Sequence, residues 1–281
     1  MITSDFEYFR PSRPDEAFSL MRKLTQGGKR GIYYSGGTEV VTRLQKGNLA
    51  IDAVIDLKGI AEMDSLEISD DYCVIGSNVV LNDVIDIEAL AMCKDVLKNI
   101  ADHTIRNAIT FGGNLMGSLA YREALLPLLA FDGKVVVVMH DIGSDMGSNI
   151  AYEEWAIREL FDKRVKLPKD AFIYQIIMPR VKNQKFYYAR YTASQDVDYP
   201  LLTVYAVINS DEIVLCLSGY APYPMWHRFS KAALMLSVHP VLDVMSLVES
   251  FAQTDQRASA SYRRSLLQCD VTKMLEVWLN V

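Results

Sequence analysis

The chain alternates short apolar runs with amphipathic stretches, and Gly and Pro punctuate the joins. Residues 6–12 read as extended, and Pro11 and Pro14 close that run. Asp15-Glu16-Ala17-Phe18 opens a helix whose apolar face carries Ala17, Phe18, Leu20, Met21 and Leu24. Acidic residues in a first turn suit the helix dipole, and Gly27-Gly28 supplies a stop. Residues 31–34 form a short apolar strand and Ser35-Gly36-Gly37 a turn. A helix then begins at Thr38, with Val40, Val41 and Leu44 on its buried side. Strands are predicted over 50–57 and 72–75, and helices over 81–90 and 92–101. Residues 107–113 are turn-rich. A helix over 125–131 leads through Asp132-Gly133 into a strand over 134–139. The polar, Gly- and Ser-rich stretch 140–150 reads as a loop, 152–161 as a helix, and 173–178 as a strand stopping at Pro179.

The pattern changes after Pro179. Residues 186–191, 201–208 and 213–217 look like successive antiparallel strands, with turns over 193–200 and 209–212. Three helices follow, over 228–237, 241–251 and 261–281. Mixed α and β first, then strands, then helices, predict an α+β protein of two main lobes divided near Pro179. No internal repeat of fixed period is visible.

Composition narrows the function classes. The chain has 281 residues, half of them hydrophobic and 23% charged, which argues against disorder and suits more than one lobe. A net charge of −6 argues against nucleic acid or an anionic membrane as the main partner. The opening Met-Ile-Thr-Ser-Asp-Phe-Glu is not the start of a signal peptide, and a cytoplasmic protein is expected. The greasiest stretch, 125–138, is cut by Asp132, Gly133 and Lys134, so no membrane span is expected; a span takes about 20 apolar residues. Cys73, Cys93, Cys216 and Cys269 are far apart, without a CxxC pair. Reduced, mostly buried thiols are expected, with no disulfide framework and no iron–sulfur cluster in this chain. His103, His140, His227 and His239 lack ligand spacing, so no metal site is expected.

Two glycine pairs carry the candidate chemistry. In Tyr33-Tyr34-Ser35-Gly36-Gly37-Thr38-Glu39 a strand enters a Gly-Gly turn and then a helix start. Glycines let the backbone approach a ligand, and a helix N-terminus offers free N–H donors, an arrangement suited to a phosphate. Thr38 would cap the helix or donate its hydroxyl. Equally, such a segment can be a plain tight turn. GxGxxG is absent and no Walker lysine follows, which removes the simple nicotinamide and P-loop readings. The second pair lies in Thr104-Ile105-Arg106-Asn107-Ala108-Ile109-Thr110-Phe111-Gly112-Gly113-Asn114. Two separated glycine turns can cradle one pyrophosphate; Arg106 and Asn107 can also simply tie the loop down.

The second segment closely resembles the QIRNxATxGGN signature of the FAD-binding (medium) subunit of molybdenum hydroxylases, the xanthine dehydrogenase and carbon monoxide dehydrogenase type. Tyr34-Ser35-Gly36-Gly37-Thr38 is similar to that family's AGGT loop, and Ala53-Val54-Ile55-Asp56-Leu57 to its lIDL strand. Ile75-Gly76-Ser77 resembles its iGA turn, and Leu126-Pro127-Leu128-Leu129-Ala130-Phe131-Asp132-Gly133 its PxLLALdA helix. Ala258-Ser259-Ala260-Ser261-Tyr262-Arg263-Arg264 resembles its gSaxYRr segment. The motifs follow in the right order over almost the whole chain.

The resemblance implies a PCMH-type FAD-binding fold: two N-terminal α/β subdomains, about 1–50 and 51–179, plus a C-terminal lobe, 180–281, with a three-stranded antiparallel sheet and helices. It implies FAD bound in an extended pose between these parts. Tyr33, Tyr34, Ser35, Gly36, Gly37, Thr38, Glu39 and Val40 would wrap the pyrophosphate. Thr110, Gly112, Gly113 and Asn114 would form a second wall. Ile100 falls where an apolar residue packs on the cofactor, although helix core is its reading from sequence alone. Ile173 falls where backbone contact with the flavin or adenine is expected. Glu123 stands where the family has Asp, a carboxylate for a ribose or ribityl hydroxyl, and Leu119-Ala120-Tyr121-Arg122 lacks the usual Ser-Pro. Arg190 takes the usual lysine position near the isoalloxazine, where a cation tunes the flavin potential. Asp198 and Tyr199 match a loop near the flavin, while Tyr262 and Arg263 read as packing residues.

The same resemblance implies no catalytic base or nucleophile in this chain. The substrate would be hydroxylated at a molybdenum cofactor on a large molybdopterin subunit, and electrons would reach FAD through [2Fe–2S] clusters on a small subunit. From FAD they would pass to NAD+ or another acceptor. The rivals are a self-contained flavin oxidase of related fold and a degenerate scaffold subunit without FAD. The first needs its own base and often a covalent flavin anchor at His or Cys, and the glycine loops carry neither.

Overall fold

The short strands and amphipathic helices at the start of the chain become a parallel sheet in the computed structural model, which describes residues 5–141, 150–181, 184–194 and 197–279. The order is β1 (Glu7–Phe9), α1 (Pro14–Gln26), β2 (Gly31–Tyr34), α2 (Thr38–Gln45) and β3 (Ala53–Asp56). β3 lies between β1 and β2 and pairs with both in parallel. Every residue of β3 is buried, as a central parallel strand covered on both faces requires. One cover is α1, whose Ala17, Phe18, Met21 and Leu24 recur at helical spacing and share a core with Ala53 and Ile55. On the other face Leu44 packs with Ile51 and Val54, while Val40 and Val41 are only half-buried.

The chain continues through β4 (Leu66–Ile68), β5 (Tyr72–Gly76), α3 (Leu81–Ile85), α4 (Ala91–Lys98), α5 (His103–Arg106), α6 (Phe111–Met116) and α7 (Leu125–Ala130). Then come β6 (Lys134–His140), β7 (Ile150–Ala156), α8 (Ile157–Leu160), the two-residue strands β8 (Phe161–Asp162) and β9 (Arg164–Val165), and β10 (Phe172–Pro179). Strands β4-β5-β10-β6-β7 make a five-stranded antiparallel sheet. The helix expected over 152–161 is instead β7 followed by one helical turn. Pairing with β6 from Lys134↔Ala156 to His140↔Ile150 overrides local preference, and Glu153 and Glu154 suit an exposed edge strand. The helix expected over 81–90 breaks into α3 and a 3-10 turn at Glu88–Leu90. Residues 142–149 of the predicted 140–150 loop and residues 195–196 of the predicted 193–200 turn lie outside the described residues, as do 280–281 at the end of the last helix.

The last part holds β11 (Lys185–Thr192), β12 (Pro200–Ile208), β13 (Glu212–Ser218), β14 (Met225–Ser230), α9 (Lys231–Leu236), α10 (Pro240–Val248) and α11 (Ala260–Leu279). β11 to β14 form an antiparallel meander of four strands rather than the expected three. The fourth occupies the start of the helix expected over 228–237. Met225 and Phe229 send buried side chains to one face at strand period, and Ser230 then caps α9 by accepting from the Ala233 N–H.

The chain divides into two compact units: Met1–Ala91, Asp102–Gly117 and Asp132–Arg180 make the first; Met92–Ala101, Ser118–Phe131 and Val181–Val281 make the second. The second unit thus takes in α7, all six of whose residues are buried and which packs on β12 and β13. Its core runs from Leu202, Val204 and Ala206 of β12 to Leu267, Val271 and Met274 of α11. Cys73, Cys93 and Cys216 are buried and Cys269 is exposed, all without disulfides.

Candidate functional site

In the first unit β2 delivers the first glycine loop. Tyr33 and Tyr34 point to opposite faces of the strand. The Tyr33 ring packs on Phe172 at 4.8 Å and its hydroxyl donates to the Asp170 carbonyl at 2.7 Å. Burial pushes its phenol far above the ordinary range. The Tyr33 side chain is thus engaged within the protein. Ser35 donates its hydroxyl to Asn78 Oδ1 at 2.6 Å, and its carbonyl accepts from Lys58 Nζ at 2.9 Å. Gly36 lies against the second loop so closely that a Cβ would sit 1.9 Å from the Ala108 carbonyl oxygen. Gly37 has φ +70° and room for no side chain, since a Cβ would meet the Tyr34 ring at 2.2 Å.

Gly37, not Thr38, is the cap of α2; Thr38 is the first helical residue. A glycine cap supplies no side-chain acceptor to the N–H groups of the first turn. Glu39 pairs with Arg43 at 3.5 Å, and Val40 leans on the Leu44 cluster.

The second loop is built differently. Residues 107–113 are not simply a turn, because α6 begins at Phe111 and takes the glycine pair into its first turn. Thr110 is the cap: buried, it accepts from the Gly113 N–H at 3.2 Å. The Gly112 N–H donates to the Ser77 carbonyl at 3.0 Å, and that of Asn114 to the Thr110 carbonyl at 2.9 Å. A Cβ on Gly112 would lie 2.5 Å from the Ser77 Cβ. These glycines are needed for close packing, and their donors are already used within the protein. Arg106 and Asn107 tie the loop down through Asn82: Arg106 Nε donates to Asn82 Oδ1 at 3.0 Å, and Asn82 Nδ2 to Asn107 Oδ1 at 2.6 Å. Ile173 sits in β10 opposite Val137, buried, beside the bulge at Tyr174.

In the second unit Glu123 and Arg190 form one group. Glu123 is 5% exposed. Its Oε1 accepts from Arg190 Nε at 2.9 Å and from the Thr203 hydroxyl at 2.7 Å, and its Oε2 accepts from Arg190 Nη2 at 3.2 Å. Arg190 Nη2 also reaches the Asp198 carbonyl at 2.7 Å. The two departures from the family pattern, Glu for Asp and Arg for Lys, are thus the two halves of one ion pair. The Glu123 carboxylate has partners inside the protein, Arg190 and Thr203. Thr203 and Tyr205 are the two hydroxyl-bearing residues in the buried run of β12, and it is Thr203 that reaches Glu123. Ile100 is buried just beyond the end of α4. Tyr199, half-exposed, stacks on Tyr121 at 5.0 Å, and Arg257 holds Asp198 at 2.6 Å.

The structure therefore brings Ser35, Gly36 and Gly37 together with Thr110 and its loop in one unit, and Glu123 with Arg190 in the other. Sequence reasoning singled out neither Lys58, Asn78 nor Thr203, and took Ser77 only as the end of a turn motif. Among the described residues no group of His, Cys, Asp and Glu is arranged to hold a metal ion, and no helix is long and apolar enough to cross a membrane.

Residues 4–181, well over half the chain, match the family described as FAD binding domain in molybdopterin dehydrogenase. The xanthine dehydrogenase FAD-binding subunit of Escherichia coli O157:H7 is 27% identical over 109 residues, which span 37% of this chain and 37% of that relative. Among solved structures, quinoline 2-oxidoreductase from Pseudomonas putida 86 has a chain that superposes with a TM-score of 0.80 at 15% identity, covering 100% of this chain and 99% of that one. A carbon monoxide dehydrogenase chain from Hydrogenophaga pseudoflava has a TM-score of 0.78 at 19% identity, covering 97% and 96%. One from Oligotropha carboxidovorans has 0.78 at 18%, covering 97% of each. At such identities these likenesses are of fold. The match over residues 4–181 shows that the chain belongs to the family of FAD binding domains in molybdopterin dehydrogenase, whose cofactor is FAD.

Proposed function

We propose that the protein is the FAD-carrying electron-transfer subunit of a molybdenum hydroxylase. The observation that carries this is the Gly36-Gly37 turn, which caps α2 without a capping side chain and has no room for a Cβ at either glycine. That cradle fits a diphosphate. The backbone from Tyr33 to Val40 would hold the FAD pyrophosphate, and Thr110, Gly112, Gly113 and Asn114 would shape the second wall. Ile100 and Ile173 would offer apolar contact. Arg190 would act on the ring system as half of a neutral pair with Glu123 rather than as a bare cation. The FAD-binding region would be 1–179, in subdomains of about 1–50 and 51–179, followed by the lobe 180–281. FAD, when bound, supplies the ability to take electrons singly and release them as a pair. The chain's own part is to position the cofactor and set its electrostatic surroundings.

The scattered cysteines support the rest of the reading, in a cytoplasmic complex. An iron–sulfur small subunit would deliver the electrons, a molybdopterin large subunit would oxidise the substrate, and NAD+ or another acceptor would receive them. Purified protein is expected to be yellow, to bleach with dithionite and to release FAD on denaturation. A colourless protein that takes up no FAD would overturn the proposal in favour of the scaffold reading, which the internal engagement of Glu123 favours.

A further inference from the structure

We infer that Lys58 and Asn78, which no motif assigns, are positioning residues that aim the Gly36 N–H at the flavin diphosphate. The inference rests on the FAD-binding reading and deepens it. The Ser35 carbonyl and the Gly36 N–H belong to one planar trans peptide and point in opposite directions. Whatever holds the oxygen therefore sets the direction of the N–H. Lys58 Nζ holds that oxygen at 2.9 Å. The ammonium is itself fixed by Asp56 Oδ1 at 2.8 Å and by the face of the Tyr34 ring, whose centroid is 4.3 Å away.

Asp56 is 3% exposed and also accepts from the Tyr8 hydroxyl and the Lys58 N–H. Burial pushes its carboxyl up, but the hydrogen bonds from Lys58 and Tyr8 outweigh this and hold it below the ordinary range. Ser35 is gripped a second time through its hydroxyl by Asn78, a buried residue whose Nδ2 donates to the Leu57 carbonyl at 3.0 Å. The Ala108 carbonyl packs against Gly36 where a Cβ would stand. A cation on the carbonyl also polarises the peptide and strengthens its N–H as a donor. Since Asp56 takes its charge, Lys58 acts through the loop and not by touching phosphate.

The test uses the full chain labelled with 15N-glycine, as wild type, Lys58→Met, Lys58→Arg and the double variant Lys58→Met with Asp56→Asn. The double variant removes the buried carboxylate that Lys58→Met would strand, so a folding defect is not mistaken for a loop effect. In Lys58→Met and in the double variant the Gly36 amide resonance should move, and FAD should bind about tenfold more weakly by flavin fluorescence titration, as expected for losing a charge-assisted hydrogen bond. Lys58→Arg, which can still donate to both oxygens, should restore both readouts. An unmoved Gly36 amide in the Met variants, an FAD affinity equal to wild type despite a moved amide, or no rescue by arginine would each overturn the inference. Wild-type protein that takes up no FAD would overturn the functional reading and the inference with it, and the amide readout tells that outcome from a failed clamp.

Discussion

At Gly36 a single hydrogen in place of a methyl group decides whether two loops can meet. A Cβ there would overlap the Ala108 carbonyl, so Gly36→Ala must push one backbone off the other. It is expected to destabilise the protein by about 1–3 kcal/mol, read by urea denaturation, and to abolish tight FAD binding in a fluorescence titration. Glu123 and Arg190, 67 residues apart in sequence, show the opposite case, where the partner and not the residue sets the role. Removing the carboxylate alone, as Glu123→Ala, leaves a nearly buried guanidinium unpaired and should cost about 3–5 kcal/mol. The conservative singles Glu123→Asp and Arg190→Lys should each destabilise, and their double variant should cost less than their sum, by about 0.5–3 kcal/mol in a double-mutant cycle. Strict additivity would show that the two side chains do not act as a pair. The glycine loops were legible in the sequence because they stand in segments that resemble a known family's motifs. The pairing of Glu123 was not, because nothing local says which cation folds against it.

The elements that sequence pattern read well are those whose neighbours in space are also neighbours in sequence. α1 carries its whole apolar face in its own periodicity, and the β11-β12-β13 meander carries its turns. β7 and β14 were misread because strand character there comes from a ladder with β6 and with β13. α11 is fastened by polar groups that periodicity does not reveal. Arg263, fully buried, donates to the carbonyls of Leu201, Gln253 and Ala258 and forks onto Asp255 at 3.0 and 2.9 Å. Partial burial pushes the Asp255 carboxyl up, but the Arg257 N–H, Arg263 and the Ala258 N–H together hold it below its ordinary value. A folded value below the unfolded one contributes stability that is present above the ordinary 3.8 and is lost as pH falls through the folded value. Acid titration of stability should show this loss in wild type. Asp255→Asn protein should start less stable and lack that part of the pH dependence; an unchanged acid slope would remove Asp255 from the account.

For the whole molecule, the unit that contains the C-terminal sheet also owns Met92–Ala101 and Ser118–Phe131. A fragment ending at Arg180 would strip α7 of β12 and β13 and expose six otherwise buried residues, Leu125 to Ala130. Such a fragment is expected to aggregate or to lack a cooperative urea transition, whereas the full chain should unfold cooperatively; a monomeric, cooperative fragment would refute this. What the sequence by itself determined is the α+β class, the two glycine loops and the family. Those follow from local physics: periodicity, turn chemistry, and a motif whose glycines are required where the backbone comes close. Only the tertiary structure decided that Gly36 rests on Ala108, that Lys58 holds the Ser35 peptide, that Glu123 answers Arg190, and that α7 belongs with strands 70 residues and more beyond it. Each of these is a contact between segments distant in the chain. Its energy depends on distance and burial, neither of which a linear pattern contains.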